Sequence, residues 1–95
     1  MIERHVTFNV HPGKGEEFSK FFAEQYRPAM TSMSGFVGVE LLREFEQPTQ
    51  YQMVIRFESA EAAGAWRQSP VHKSLQPSLK SLYSESKVQV YEVIA

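Results

Sequence analysis

The sequence predicts an α+β fold, with one four-stranded antiparallel sheet carrying helices on a single face. Three observations predict it. Apolar residues alternate with period two in four separate stretches. Two longer stretches between them follow the i, i+3, i+4 spacing of amphipathic helices. The pieces run strand, helix, strand, strand, helix, strand, which is the split βαβ order.

The first strand covers residues 2 to 10. Ile2, Val6, Phe8 and Val10 share one face with Arg4, an exception on an apolar side; Glu3, His5, Thr7 and Asn9 share the other. His11-Pro12-Gly13 ends it, because Pro has no N–H to donate and Gly permits a tight turn. From Lys14 to Met30 the period changes: Phe18, Phe21, Phe22 and Tyr26 fall on one face, with Glu16, Glu17, Lys20 and Glu24 on the other. Pro28 would clash with the Glu24 carbonyl in a straight helix, which predicts a kink or an end near Tyr26. Thr31 to Gly35 is a loop.

Phe36 to Phe45 and Tyr51 to Phe57 form a hairpin about the Gln47-Pro48-Thr49-Gln50 turn. In the first of these strands Val37, Val39 and Leu41 are expected on one face, with Phe36, Gly38 and Leu42 on the other. Ser59 is placed to cap a helix over Ala60 to Gln68. Ser69 caps a second, with Pro70 at its first position. Leu75, Leu79 and Leu82 recur at helical spacing, but Pro77 is expected to break the run into an irregular turn reaching Tyr83. Lys87 to Ile94 is the last strand. The whole is a ferredoxin-like βαββαβ domain over residues 1–95. Helices cover one face of such a sheet, so Thr7, Leu42, Val54 and Tyr91 are left on a partly apolar open face. A homodimer pairing sheet face to sheet face would bury it.

A chain of 95 residues with no cysteine forms neither a disulfide nor a thiolate metal site. Its small core makes self-association the expected supplement. Ten basic and eleven acidic residues are interspersed, giving a net charge of −1. No basic stripe could neutralise a run of phosphates, which excludes nucleic acid as a partner. No apolar run approaches the roughly 18 residues needed to cross a bilayer. The reading is a soluble, cytoplasmic protein.

The stretch Phe57 to Leu75 draws the eye next. It carries the single tryptophan, Trp66, then breaks at Ser69-Pro70 and restarts with His72. His5, His11 and His72 do not stand at metal-ligand spacing, so no metal site is expected. His11-Pro12-Gly13-Lys14-Gly15 lacks phosphate-loop spacing and reads as a plain turn.

Several pieces in order carry a family resemblance: HPGKGEEF after the first strand, Pro28-Ala29-Met30, Ser34-Gly35-Phe36-Val37-Gly38, Tyr51, FESAEAAGAWRQSPVH and the final KVQVYEV. Together they make the chain resemble the dimeric α/β-barrel superfamily, and within it the antibiotic-biosynthesis monooxygenase branch, over nearly its whole length. The resemblance implies a barrel formed by two ferredoxin-like subunits. It implies oxidation of quinols or anthrone-like aromatics without metal or flavin; other members of the branch degrade haem, and many have no assigned reaction. On this resemblance Trp66 matches a pocket-lining tryptophan and His72 a histidine common in the branch. Two departures turn it from haem. The iron-ligating histidine of haem-degrading members falls where this chain has Lys73 to Gln76, and their first-strand asparagine falls near Val6, with Asn9 out of register.

The chemistry open to these residues follows from their types. An imidazole with an ordinary pKa of about 6.5 accepts a proton near neutrality. A flavin-free oxygenase needs a base, a dry pocket and a polar group to steady the substrate anion. His72 is the candidate base and Trp66 Nε1–H the candidate donor, with Phe22, Tyr26 and Met33 bordering the cavity of a small aromatic ligand and no bound cofactor. The plainer alternatives are equally concrete. His72 can be a surface or structural helix residue, Trp66 a packed core ring, and the phenylalanines simple core. The protein would then be a non-enzymatic binding or dimerisation module.

Overall fold

The computed structural model describes residues 1–95. β1 (Ile2–Val10) leads through a tight turn, in which Gly13 takes φ +84°, into α1 (Gly15–Phe21). The helix widens into a π turn over Phe22–Tyr26 and resumes as α2 (Arg27–Thr31). The Arg27 N–H reaches back five residues to the Phe22 carbonyl. This wide turn absorbs Pro28: the ring and its missing N–H are accommodated without ending the helix. Where a kink or an end is expected near Tyr26, the helix instead continues through a π turn.

β2 (Phe36–Arg43) and β3 (Gln50–Phe57) form the hairpin. α3 (Ala60–Gln68) and α4 (Pro70–Lys80) follow, and β4 (Tyr83–Glu92) closes the sheet. The strand order is β2-β3-β1-β4, every neighbour antiparallel. Each strand–helix–strand unit therefore crosses over one intervening strand, the ferredoxin-like topology.

Register fixes the two faces. Arg4 pairs with Ile55 and Val90, and Val6 with Met53 and Val88. These lie on the helix-covered side with Phe8 and Tyr51, because cross-strand partners share a face. Phe18, Phe22, Met30, Met53, Phe57 and Trp66 fill the space between sheet and helices, each no more than 2% exposed. Burying a side chain of this size contributes roughly 1.5–3 kcal/mol. No polar side chain is fully buried.

Four expectations are corrected. The pairing of β2 slips between Phe36 and Gly38. This bulge puts Phe36 on the core side, edge-on to Phe57 at 5.8 Å, and leaves Val37 exposed, reversing their expected faces. β2 ends at Arg43, so Phe45 lies outside the strand and almost fully in solvent. α4 runs through Pro77 to Lys80. Pro77 and Lys73 are both exposed, so the carbonyl that Pro77 cannot bond is left to water. β4 begins at Tyr83, where Tyr83 pairs with Val10 across a bulge, rather than at Lys87, and it ends at Glu92.

Candidate active site

The junction of α3 and α4 positions the candidate residues. Ser59 caps α3 by accepting from the Ala62 N–H at 3.1 Å. Ser69 joins the two helices. Its hydroxyl donates to the Trp66 carbonyl at 2.7 Å and accepts from the His72 N–H at 3.1 Å. One side chain thus ties the end of the tryptophan helix to the start of the histidine helix. Pro70, at the first helical position, fixes the angle between them.

Trp66 and His72 meet with ring centroids 5.0 Å apart at 73°. Tyr26 from the π turn stands perpendicular to Trp66 at 5.5 Å and reaches His72 at 6.4 Å. Phe22 stacks beside Tyr26 at 6.3 Å, and the Arg27 guanidinium covers the outer face of Phe22 at 5.0 Å. Four of the five residues picked from the sequence therefore form one aromatic group. Met33, in the turn after α2, packs against the core but makes none of these ring contacts.

Trp66 is 2% exposed, so it is the packed back of this group rather than an open wall. Burial holds the Tyr26 pKa above its ordinary value, and the neighbouring Trp66 side chain offsets part of this. His72 is half-buried. Burial pushes its pKa down, and the Arg4 and Arg67 charges add to this, while the Arg67 carbonyl works in the opposite sense as a weak acceptor. His72 Nε2 lies 3.1 Å from the Gln76 side-chain nitrogen. Its Nδ1 is sealed from solvent and has no partner in hydrogen-bond geometry.

The sequence reading did not assign Arg4. It projects from β1 onto the helix-covered face, and its Nε is likewise sealed and unpartnered. None of the ion pairs involves it. Burial and the nearby Arg67 charge both weaken its hold on its proton. The signal available was a lone cation on an apolar strand face. Gln76 was noted only as a position where a ligand histidine is missing; it holds the other nitrogen of His72.

A concavity of about 450 Å³ lies away from this group. It sits at one end of the open sheet face, among Thr7, Asn9, Leu42, Gln52 and Lys87. Elsewhere on that face Glu3 contacts both Arg56 and His5, each at 2.5 Å, and the His5 ring packs on Tyr91 at 4.8 Å.

The site sits in a small ferredoxin-like α+β domain, where Trp66, Tyr26 and the half-buried His72 meet at the helix junction. The chain belongs to the antibiotic biosynthesis monooxygenase family, whose sequence pattern matches residues 1–78. A Bordetella bronchiseptica protein of that class is 25% identical, with a TM-score of 0.87 over 99% of this chain and 97% of its own. SnoaB, a cofactor-independent oxygenase from Streptomyces nogalater, has the same fold: TM-score 0.89 at 22% identity, over 99% of this chain and 93% of that one. In sequence, a mycobilin-producing heme oxygenase of Mycobacterium tuberculosis is 38% identical over 64 residues. Those residues are 67% of this chain and only 60% of that protein.

The heme oxygenase raises the question of haem. The side chains here do not fit it. Of the two His72 nitrogens, one is sealed from solvent and the other faces Gln76, while Trp66 fills the space beside the ring. No group of three His, Asp or Glu side chains is arranged to hold a metal ion. No helix is long and apolar enough to cross a membrane.

Proposed function

We propose that this protein is a monooxygenase that oxidises a quinol or another electron-rich planar aromatic with dioxygen and no bound cofactor. The observation that carries the reading is His72, a half-buried imidazole set against the Trp66 and Tyr26 rings at the helix junction. A depressed pKa keeps that ring neutral at physiological pH, which is the form a base needs.

His72 takes the proton of the substrate hydroxyl. The resulting anion passes one electron to dioxygen, and the substrate radical and superoxide join at a ring carbon to give a hydroperoxide. Loss of water leaves the oxidised ring. One oxygen atom is in the product and the other in water, so the four electrons that reduce dioxygen come from the substrate. Trp66 and Tyr26 keep the site dry and fix the imidazole. Family membership supports the oxygenase class, and the planar substrate follows from the aromatic lining.

The working unit is a homodimer paired through its open sheet faces. Leu42 and Tyr91 are each 45% exposed there, and a second copy laid on this face would cover them. The absence of cysteine suits a reducing, cytoplasmic setting.

Oxygen uptake across a panel of quinols and anthrones tests the reaction. Turnover is expected with at least one, falling roughly 10²–10⁴-fold in His72→Ala. No uptake with any of them, or turnover unchanged in His72→Ala, overturns it. The heme oxygenase relative favours a second reading, haem binding, which haemin titration decides; no saturable Soret shift is expected.

A further inference from the structure

His72 stands in the first turn of α4, which begins at Pro70. An imidazolium there would meet the positive end of the helix dipole, which favours the neutral ring. A neutral imidazole carries one N–H and one lone pair, and the hydrogen bond at one nitrogen decides which is which. Here the two nitrogens differ. Nδ1 is sealed from solvent, so Nε2 is the nitrogen left to exchange a proton. Nε2 lies 3.1 Å from the side-chain nitrogen of Gln76. An amide nitrogen only donates, so Nε2 accepts and the ring proton belongs on Nδ1. The Arg67 carbonyl that bears on the ring is an acceptor and suits a retained N–H.

The contact is built by one helix. His72 and Gln76 are one turn apart, so their side chains share a face of α4. Ser69 fixes the start of that helix through the His72 backbone N–H. The Trp66 ring at 5.0 Å and the Tyr26 ring at 6.4 Å limit how far the imidazole can turn. Gln76 itself is half-buried and keeps some access to water.

We infer that Gln76 is the positioning residue of His72: its amide N–H holds the ring in the Nδ1–H form and keeps the Nε2 lone pair where a substrate hydroxyl docks. The tautomer part of this assignment rests on the hydrogen bond; the substrate part rests on the proposed function. A substrate O–H is a donor, as the Gln76 amide is. It takes the place of the amide at the same lone pair, so the ring needs no change of tautomer before it accepts the proton. Water satisfies the amide that turns aside.

The test reads the ring directly. Long-range proton–nitrogen NMR of the intact, isotope-labelled protein distinguishes the two tautomers in mildly alkaline buffer. The chain has three histidines, and His72→Gln assigns the signal by removing it. The wild type is expected to show Nδ1–H. Gln76→Glu offers only acceptors and is expected to move the proton to Nε2; Gln76→Met offers neither donor nor carboxylate and is expected to leave a mixture. Circular dichroism of each variant reports folding, and two replacements of different polarity guard against one of them failing to fold. With a quinol that the wild type oxidises, Gln76→Glu is expected to lower kcat roughly tenfold or more, part of the 10²–10⁴-fold that positioned proton transfer contributes, with KM within about twofold.

A wild-type ring with its proton on Nε2 overturns the assignment. So does a tautomer unchanged in both folded variants, or a proton moved to Nε2 with kcat unchanged. The two proposals fail separately. A tautomer that depends on Gln76 with no uptake by any quinol keeps the positioning contact and removes the oxygenase; uptake with a tautomer indifferent to Gln76 does the reverse.

Discussion

The two faces of the sheet hold the same residue types in opposite circumstances. On the open face Arg56 and His5 share the Glu3 carboxylate. On the covered face Arg4 and His72 each leave a nitrogen without a partner. Arg4 pairs across the sheet with Ile55, next in sequence to Arg56, so strand alternation alone separates the two arginines. On the open side water and a carboxylate satisfy the cation. On the covered side the nearby groups are aromatic or cationic. The comparison teaches where to look for function. The conspicuous cluster satisfies itself, while the covered face holds polar atoms without partners.

Substitutions on the two faces sharpen this contrast. Trp66→Ala has the largest expected effect. It removes a 2% exposed ring that Tyr26 and His72 both lean on. The loss is expected to be about 3–5 kcal/mol, the usual range for truncating a buried aromatic. Urea unfolding measures it. A cost below about 1 kcal/mol would mean that the covered face is loosely packed and that the site does not depend on it.

Leu42→Glu probes the open face and should do the opposite. Leu42 is 45% exposed, so the fold of the isolated subunit should change by no more than about 0.5 kcal/mol. The assembly should change state, because the added carboxylate would be buried in the proposed interface without a partner. Sedimentation velocity is expected to show dimer for the wild type and monomer for the variant. A wild type that sediments as a monomer would break the proposed pairing of open faces.

How much of this was legible in the sequence follows from how local each feature is. Alternation in β1 and β3 places Phe8, Met53, Ile55 and Phe57 on the covered face, because period two is a property of a few neighbouring residues. The caps at Ser59 and Ser69 are readable for the same reason, and both make their expected bonds. The bulge at Val37 was not readable, since a register slip belongs to the pairing of two strands and leaves no mark on one. Pro77 misled because the Lys73 carbonyl it leaves unbonded is exposed to water, which lets α4 continue, and exposure is a tertiary property. Arg4 was visible as an anomaly. Its surroundings depend on facts no window of sequence contains: that Ile55 and Val90 flank it across the sheet and that its Nε finds no partner.

The smallest effect separates the faces by pH. His72 has its pKa lowered, mainly by burial, from the ordinary 6.5. Glu3 has its pKa lowered from 4.5, chiefly by the hydrogen bond from His5 and then that from Arg56. In each case the folded group binds fewer protons than the unfolded one between the two pKa values. Unfolding therefore takes up protons, and falling pH favours it. The contribution of His72 is fully present above about 6.5 and is lost as pH falls below that. The contribution of Glu3 persists there and is lost only below about 4.5. Both groups are reached by water, which screens the effects and makes them small. Thermal unfolding followed from pH 8 to pH 3 should show two shallow descents. His72→Gln is expected to flatten the upper one alone, and Glu3→Gln the lower one alone. If His72→Gln leaves the upper descent unchanged, the imidazole is not held neutral by the covered face, and its assignment as the base loses its physical ground.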